Sequence, residues 1–333
     1  MAGALDGVGV GLFAAIAAWA LVASSRAGGS ALPGLALLSG CGLVLVAART
    51  IASRARLVVP TAVFVAGVVV AARSSTGIFN SAPLSGPLRY VNADGAFFVQ
   101  VAIAALMIAA IGRSVALRLC AVAGALFFAA VPFAIKASAA AWLVVVLPGA
   151  SMVSTVAFGG AGARASIAFS GVLFLAALGA TIWLGATYAP AAQPGVFERA
   201  AIQTVDSHRL VLWHDAFGIM RAHPLTGVGP RRYQVASAIA RRDPDSRWAH
   251  NEFLQQGAEQ GVAGLVLLAA LFVWALGRLL LVRMPGAVAA LGAASAGALG
   301  IHSTIDYVMH FPAIPLMAAA LVGAAMAREG RAT

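Results

Sequence analysis

The sequence predicts an all-α integral membrane protein, with about ten transmembrane helices and one large extracytoplasmic loop carrying short amphipathic helices. Three observations predict it. Of 333 residues, 61% are hydrophobic and only 10% charged, whereas a soluble domain averages about a quarter charged. Mean hydropathy is +0.93. Apolar stretches of spanning length recur near 8–23, 31–48, 57–72, 95–112, 116–135, 139–157, 166–188, 260–282, 286–305 and 311–327, and roughly 25 to 30 residues per helix and turn would allow ten or eleven spans.

The first stretch lacks a basic region and a small-residue cleavage site before its apolar run, so it reads as a span and not a cleaved signal. About seven spans fill a bundle over 1–189, interrupted by Pro132, Pro148 and Gly149. Cys41 and Cys120 lie inside apolar runs, where cysteine behaves as a small hydrophobe. They offer neither a disulfide framework nor a thiolate metal site. The chain turns polar over a loop at 190–259, and about three more spans complete a bundle over 260–333.

Sidedness follows from the short connections. With the N-terminus inside, one side holds Arg49, Arg54, Arg56, Arg113, Arg118, Arg164, Arg278, Arg283, Arg328 and Arg331, and the other only Arg26, Arg73, Arg89 and Lys136. The positive-inside rule then places both termini in the cytoplasm and the large loop outside. That loop holds Arg199, Arg209, Arg221, Arg231, Arg232, Arg241, Arg242 and Arg247, and it holds Glu198, Asp206, Asp215, Asp243, Asp245, Glu252 and Glu259 among the acids. The net charge is +11. In a polytopic protein such basicity suggests anionic headgroups or a phosphorylated lipid, not nucleic acid. Lys136 is the single lysine, and arginine is the better fork for phosphate.

Within the loop, Arg209, Trp213, Phe217 and Met220 recur at helical spacing, which predicts an amphipathic helix over 204–222 lying on the membrane surface. His223-Pro224 ends it, Gly227 and Gly229 make a tight turn, and Pro230 opens a short helix carrying Arg231, Arg232 and Tyr233. A third helix starts near Ala249 and enters the eighth span. No strand precedes GVGP and no Gly-Lys-Ser/Thr follows, so it reads as a turn and not a phosphate loop. His302, Asp306 and His310 fall at i, i+4 and i+8, a spacing able to set metal ligands on one helical face; a polar patch packed on the loop is the competing reading.

In order along the chain stand RLVLW, HPLTGVGP, AHNEFLQ, EQGVAGL and HSTIDYVMHFPAIP. Over residues 205–326 this ordered set resembles the O-antigen ligase and O-antigen polymerase family of bacterial membrane glycosyltransferases. The resemblance implies a polyprenyl-pyrophosphate-linked glycan donor, a glycan, lipid or protein acceptor, surrounding membrane lipids, and an active face outside the inner membrane. It implies neither a cofactor nor a required metal ion. In IKASAAAW, Ser138 matches the family's Ser-Arg-Gly motif while Ala139 stands where arginine would fall, and Lys136 is the neighbouring cation.

The implied reaction needs a base for the acceptor hydroxyl and positive charge on the departing pyrophosphate. His250 is the candidate base, because an imidazole is mostly neutral near pH 7. Arg209 leads the phosphate clamp, with Arg221, Arg231, Arg232 and Lys136 beside it. Supporting candidates are Trp213, Asn251, Glu259, His302 and Asp306. Trp213 and Tyr233 could stack on sugar rings or anchor at the interface. Glu259, nine residues after His250, points away from it on an unbroken helix, a geometry that a break at Gly257 would change. The competing function classes are a transporter or flippase for lipid-linked or anionic substrates, and a relative without catalysis. Against a transporter, the polar residues crowd into one loop instead of forming repeated halves with mid-membrane charges.

Overall fold

The computed structural model describes residues 2–73, 87–188, 206–243, 246–282 and 286–327, with side chains from Asp6 onward. Glu198, Arg199, Asp245, Arg283, Arg328 and Arg331 of the charge tally lie outside these residues. The protein is an all-α integral membrane protein, and among the described residues there is no strand. Its helices are α1 Ala2–Ala27, α2 Leu32–Arg54, α3 Val58–Arg73, α4 Val91–Ile111, α5 Val115–Ala134, α6 Ser138–Thr187, α7 Ser207–Ala222, α8 Tyr233–Ala236, α9 Glu252–Leu280, α10 Ala287–Ser303 and α11 Ala313–Ala325. A 3-10 turn, Val308–His310, joins the last two.

Among the described residues six helices (α1, α2, α4, α5, α6 and α9) are long and apolar enough to cross a membrane, and α3, α10 and α11 are shorter apolar helices. The fifty residues of α6 break at Gly159, which takes φ 56° and ψ −131°. Its arms fold back on each other, for Ser166 Oγ donates to Ala150 O at 3.4 Å. The ten apolar stretches therefore all fall on helical segments.

Helices α4 and α10 are buried on nearly every side. The run AALGAASAGALG lets α10 approach its neighbours closely. A Cβ at Gly292 would stand 2.4 Å from Ala325 Cβ, and one at Gly300 2.9 Å from Phe174. At the end of the bundle opposite the loop, Asp6 meets Arg49 and Arg278 at 3.0 Å each, tying α1, α2 and α9 together.

The loop docks on the bundle through a break in α9. Gly261 takes φ 72° and ψ −174°, and a Cβ there would lie 2.1 Å from Leu225 O. An uninterrupted helix would pair the carbonyls of residues 258–260 with amides four residues on. Here Ala258 O accepts from Val228 N at 3.0 Å, Glu259 O from Gly229 N at 2.9 Å, and Gln260 O from Trp19 Nε1 at 2.8 Å. Val262 N donates to Pro224 O at 2.9 Å. The break is thus at Gly261 and not Gly257, whose missing side chain makes room for Met220. HPLTGVGP is the partner strip for EQGVAGL, and a Cβ at Gly227 or at Gly261 would run into the backbone of the other motif.

Helix α7 differs from expectation. Leu210, Leu212, Trp213, Ala216 and Met220 are buried, so its apolar face packs on α6 and α9 instead of lying open to lipid. Asp206 caps its start, accepting from His208 N at 3.2 Å.

Candidate functional site

Asp306 organises the loop end. It lies in the turn after α10, fully buried, and is surrounded by donors. The Tyr90 hydroxyl stands 2.8 Å from both carboxylate oxygens. Asn92 Nδ2 donates to Oδ2 at 2.6 Å, Arg209 Nη2 to Oδ2 at 3.0 Å, and Tyr307 N to Oδ1 at 2.8 Å. His250 Nδ1 faces Oδ1 at 3.3 Å. That approach is close enough for electrostatic attraction but misaligned as a hydrogen bond.

Each partner is placed by its own element. Arg209 sits in the first turn of α7 and also donates from Nη1 to Ile305 O at 3.0 Å. Two of its five N–H groups are thereby used, leaving the rest for a ligand. His250 takes φ 51°, a left-handed conformation that costs a side-chain-bearing residue on the order of 1–3 kcal/mol and occurs where surrounding structure enforces it. Two contacts enforce it here. Trp213 Nε1 donates to His250 O at 3.1 Å, and Asn251 Oδ1 caps α9 through Phe253 N and Leu254 N at 3.0 and 2.9 Å. Asn251 Nδ2 also donates to Thr304 O at 2.6 Å, fixing the start of α9 over the turn that holds Asp306.

Electrostatics follow from this packing. Burial alone would raise the Asp306 carboxyl, but contact with His250 and the charges of Arg209 and His250 outweigh it and hold the group below the usual carboxylate range. Burial, then the Asp306 charge, pushes the Tyr90 and Tyr307 phenols up, so both remain protonated donors. Since Nδ1 of His250 is turned to Asp306, Nε2 is the nitrogen left to meet a substrate.

The remaining candidates divide clearly. Trp213 and Tyr233 are fully buried and have no free face for a sugar; Trp213 instead positions His250. Glu259 accepts from Arg231 N at 2.7 Å and Tyr233 N at 3.2 Å, closing the turn before α8. Pro230 and Arg231 belong to that turn and the short helix begins only at Tyr233. Arg232 reaches Ala27 O at 2.7 Å and braces the α1–α2 connection. Arg221 lies twelve residues along α7 from Arg209, about 18 Å at the helical rise. Lys136, exposed between α5 and α6 with φ 60°, lies at the loop end of the bundle. The third helix begins at Glu252, with Asn251 as its cap, and not near Ala249.

His302, Asp306 and His310 do not share a helical face, because α10 ends at Ser303 and the chain turns. His302 is buried with Nε2 unpartnered, Asp306 faces Arg209 and His250, and His310 faces Glu252. Among the described residues no group of three His, Cys, Asp or Glu is placed to hold a metal ion. Tyr90 and Asn92 do not stand out in the sequence. Their only signal is that YVN sets polar groups at the head of an otherwise apolar helix.

The sequence profile of the family described as O-Antigen ligase matches residues 92–269, from the head of α4 into the middle of α9. The chain belongs to the O-antigen ligase family. Its match includes Arg209, Trp213, His250 and Asn251, while Asp306 and His310 lie beyond it. No curated protein matches the chain. Membership of the O-antigen ligase family supports a role in polysaccharide assembly and, in general terms, lipid-linked glycan substrates.

Proposed function

We propose that the protein is a membrane glycosyltransferase that moves a saccharide from a polyprenyl-pyrophosphate carrier to an acceptor hydroxyl at the outer face of the bacterial inner membrane. The observation that carries this reading is the convergence of Arg209 and His250 on buried Asp306. His250 Nε2 takes the proton of the acceptor hydroxyl as that oxygen attacks the anomeric carbon, and Asp306 stabilises the imidazolium that forms. The remaining Arg209 donors meet the phosphates, where each charge-assisted hydrogen bond contributes about 1.5–3 kcal/mol. Arginine supplies the neutralising charge, so transfer continues in excess EDTA.

The test is glycan transfer by purified protein from a synthetic carrier-linked saccharide, with and without EDTA. His250→Ala lowers turnover by about 10²–10⁴-fold with carrier binding retained. Near-normal turnover in that variant removes histidine from the mechanism, and loss in EDTA with rescue by a divalent ion removes the arginine clamp. The facing of the loop is read by single-cysteine labelling at exposed Gln234 with an impermeant reagent in a chain lacking Cys41 and Cys120. Ser237 would not serve, being fully buried. Labelling only after the cells are opened overturns the external site.

A further inference from the structure

Beside the Asp306 cluster stands a second imidazole–carboxylate couple. His310 Nδ1 lies 2.9 Å from Glu252 Oε1, and the same oxygen accepts from Met309 N at 3.1 Å. Glu252 is largely buried in the first turn of α9, where the helix dipole favours a carboxylate. The His310 ring packs 4.1 Å from Trp248 and 6.0 Å from Tyr307, and Tyr307 meets His250 edge-on at 4.7 Å. Two imidazoles thus flank one tyrosine, each with Nδ1 turned to a carboxylate.

Their surroundings differ. Asp306 already faces the permanent cation Arg209 and several neutral donors, so His250 is one of several groups that stabilise its charge. Glu252, among the described residues, meets a charged partner only in His310. Burial disfavours the His310 imidazolium, but Glu252 outweighs this and raises its pKa, with Glu259 adding to the effect and Arg231 opposing it. The indole of Trp248 also favours a cation against its face. Side-chain exposure of 28% keeps His310 in contact with water. Cations gather around it: Arg231 is near enough for its charge to be felt, and the Arg247 guanidinium lies 5.7 Å from the Trp248 ring. Anionic oxygens of a leaving group would settle at such a wall.

We propose that His310, held as an imidazolium by Glu252, is the acid of the reaction and protonates the departing pyrophosphate while His250 acts as the base. This rests on the glycosyl-transfer reading above. The acceptor O–H proton passes to His250 Nε2, and the acceptor oxygen bonds the anomeric carbon. The bond from that carbon to the phosphate oxygen breaks with its electron pair on oxygen, which receives the Nε2 proton of His310. Both imidazoles then re-equilibrate with water.

The test is the pH dependence of kcat for glycan transfer by the full-length protein. Wild type shows an alkaline limb, where His310 loses its proton. His310→Gln, whose amide can still reach Glu252, lowers kcat by about 10²-fold and abolishes the alkaline limb while carrier binding persists. Glu252→Gln moves that limb to lower pH, because the carboxylate that holds the proton is gone, and it decides the matter should His310→Gln not fold. The charges of Glu259 and Arg231 also act on this ring and Tyr307 packs against it, so the limb must follow His310 and Glu252 specifically. A wild-type profile without an alkaline limb, or one unchanged in folded His310→Gln or Glu252→Gln, overturns the proposal. Failure of the glycosyl-transfer reading looks different: wild type transfers no glycan at any pH, or His250→Ala equals wild type.

Discussion

The two ends of the bundle each hold an aspartate clamped by arginine, and they are built for different purposes. Asp6 is 30% exposed and is held by two guanidinium groups from two other helices. Both of these partners are permanent cations, which makes a brace. Asp306 is fully buried and has one guanidinium, two neutral side-chain donors, a backbone amide and an imidazole that only approaches alignment. Its partners keep unused groups, the free edge of Arg209 and the far nitrogen of His250. A carboxylate that satisfies itself completely locks helices; one that orders partners without exhausting them leaves chemistry available.

The sharpest test of that contrast exchanges each aspartate for asparagine. Asp306→Asn lowers glycan transfer by about 10³-fold, since both the base and the clamp lose their reference charge. Asp6→Asn leaves turnover near wild type and lowers stability by only about 1 kcal/mol, because the site is partly solvated. Equal effects on turnover would erase the distinction. A slightly smaller effect belongs to the backbone: Gly261→Ala forces a side chain into a left-handed, crowded position and destabilises by about 3 kcal/mol, whereas Gly159→Ala, with open space around it, costs about 1 kcal/mol. Thermal unfolding in detergent separates the two. Arg209→Lys retains charge but loses the fork, so transfer falls about 10- to 100-fold with weaker carrier binding. Tyr90→Phe removes one donor from Asp306 and costs about 1 kcal/mol.

The signs of the pH effects distinguish the two imidazole–carboxylate couples as well. Asp306 has a lowered pKa, so its stabilising contribution is present above the ordinary value of 3.8 and is lost only as pH falls through the lower folded value. His310 has a raised pKa, so its contribution is complete below about 6.5 and is lost as pH rises through the folded value. The difference in melting temperature between wild type and His310→Gln therefore shrinks from pH 6 to pH 9. A difference that grows over this range would contradict the Glu252 pairing.

Much of the architecture was legible because its signals are local. Hydropathy located all ten apolar segments, and the special residues of HPLTGVGP and EQGVAGL marked unusual backbone. What they could not reveal was that the two motifs hydrogen-bond to each other, since nothing in either names its partner. The same limit applies to the site. Arg209 and His250 stood out as residue types suited to the chemistry. Asp306 was placed by helical periodicity on a face with His302, and periodicity fails once α10 ends at Ser303. Tyr90 and Asn92 come from more than 200 residues away in sequence, and only the packing of α4 against α10 brings them to the carboxylate.

The stitched break at Gly261 also constrains how the molecule is made. Ribosomes deliver the 223–229 strip before α9 exists, so that strip must wait for its partner. When α9 enters, the carbonyls of Ala258, Glu259 and Gln260 and the Val262 amide have their partners at the break in the strip and in Trp19, and each unmet group in a lipid environment costs several kcal/mol. Helix α9 therefore completes its bonding at the break as the strip and Trp19 of α1 reach it. Insertion, loop docking and closure of the first helix against the ninth become one cooperative event, and the site is assembled at the moment the chain finishes entering the membrane.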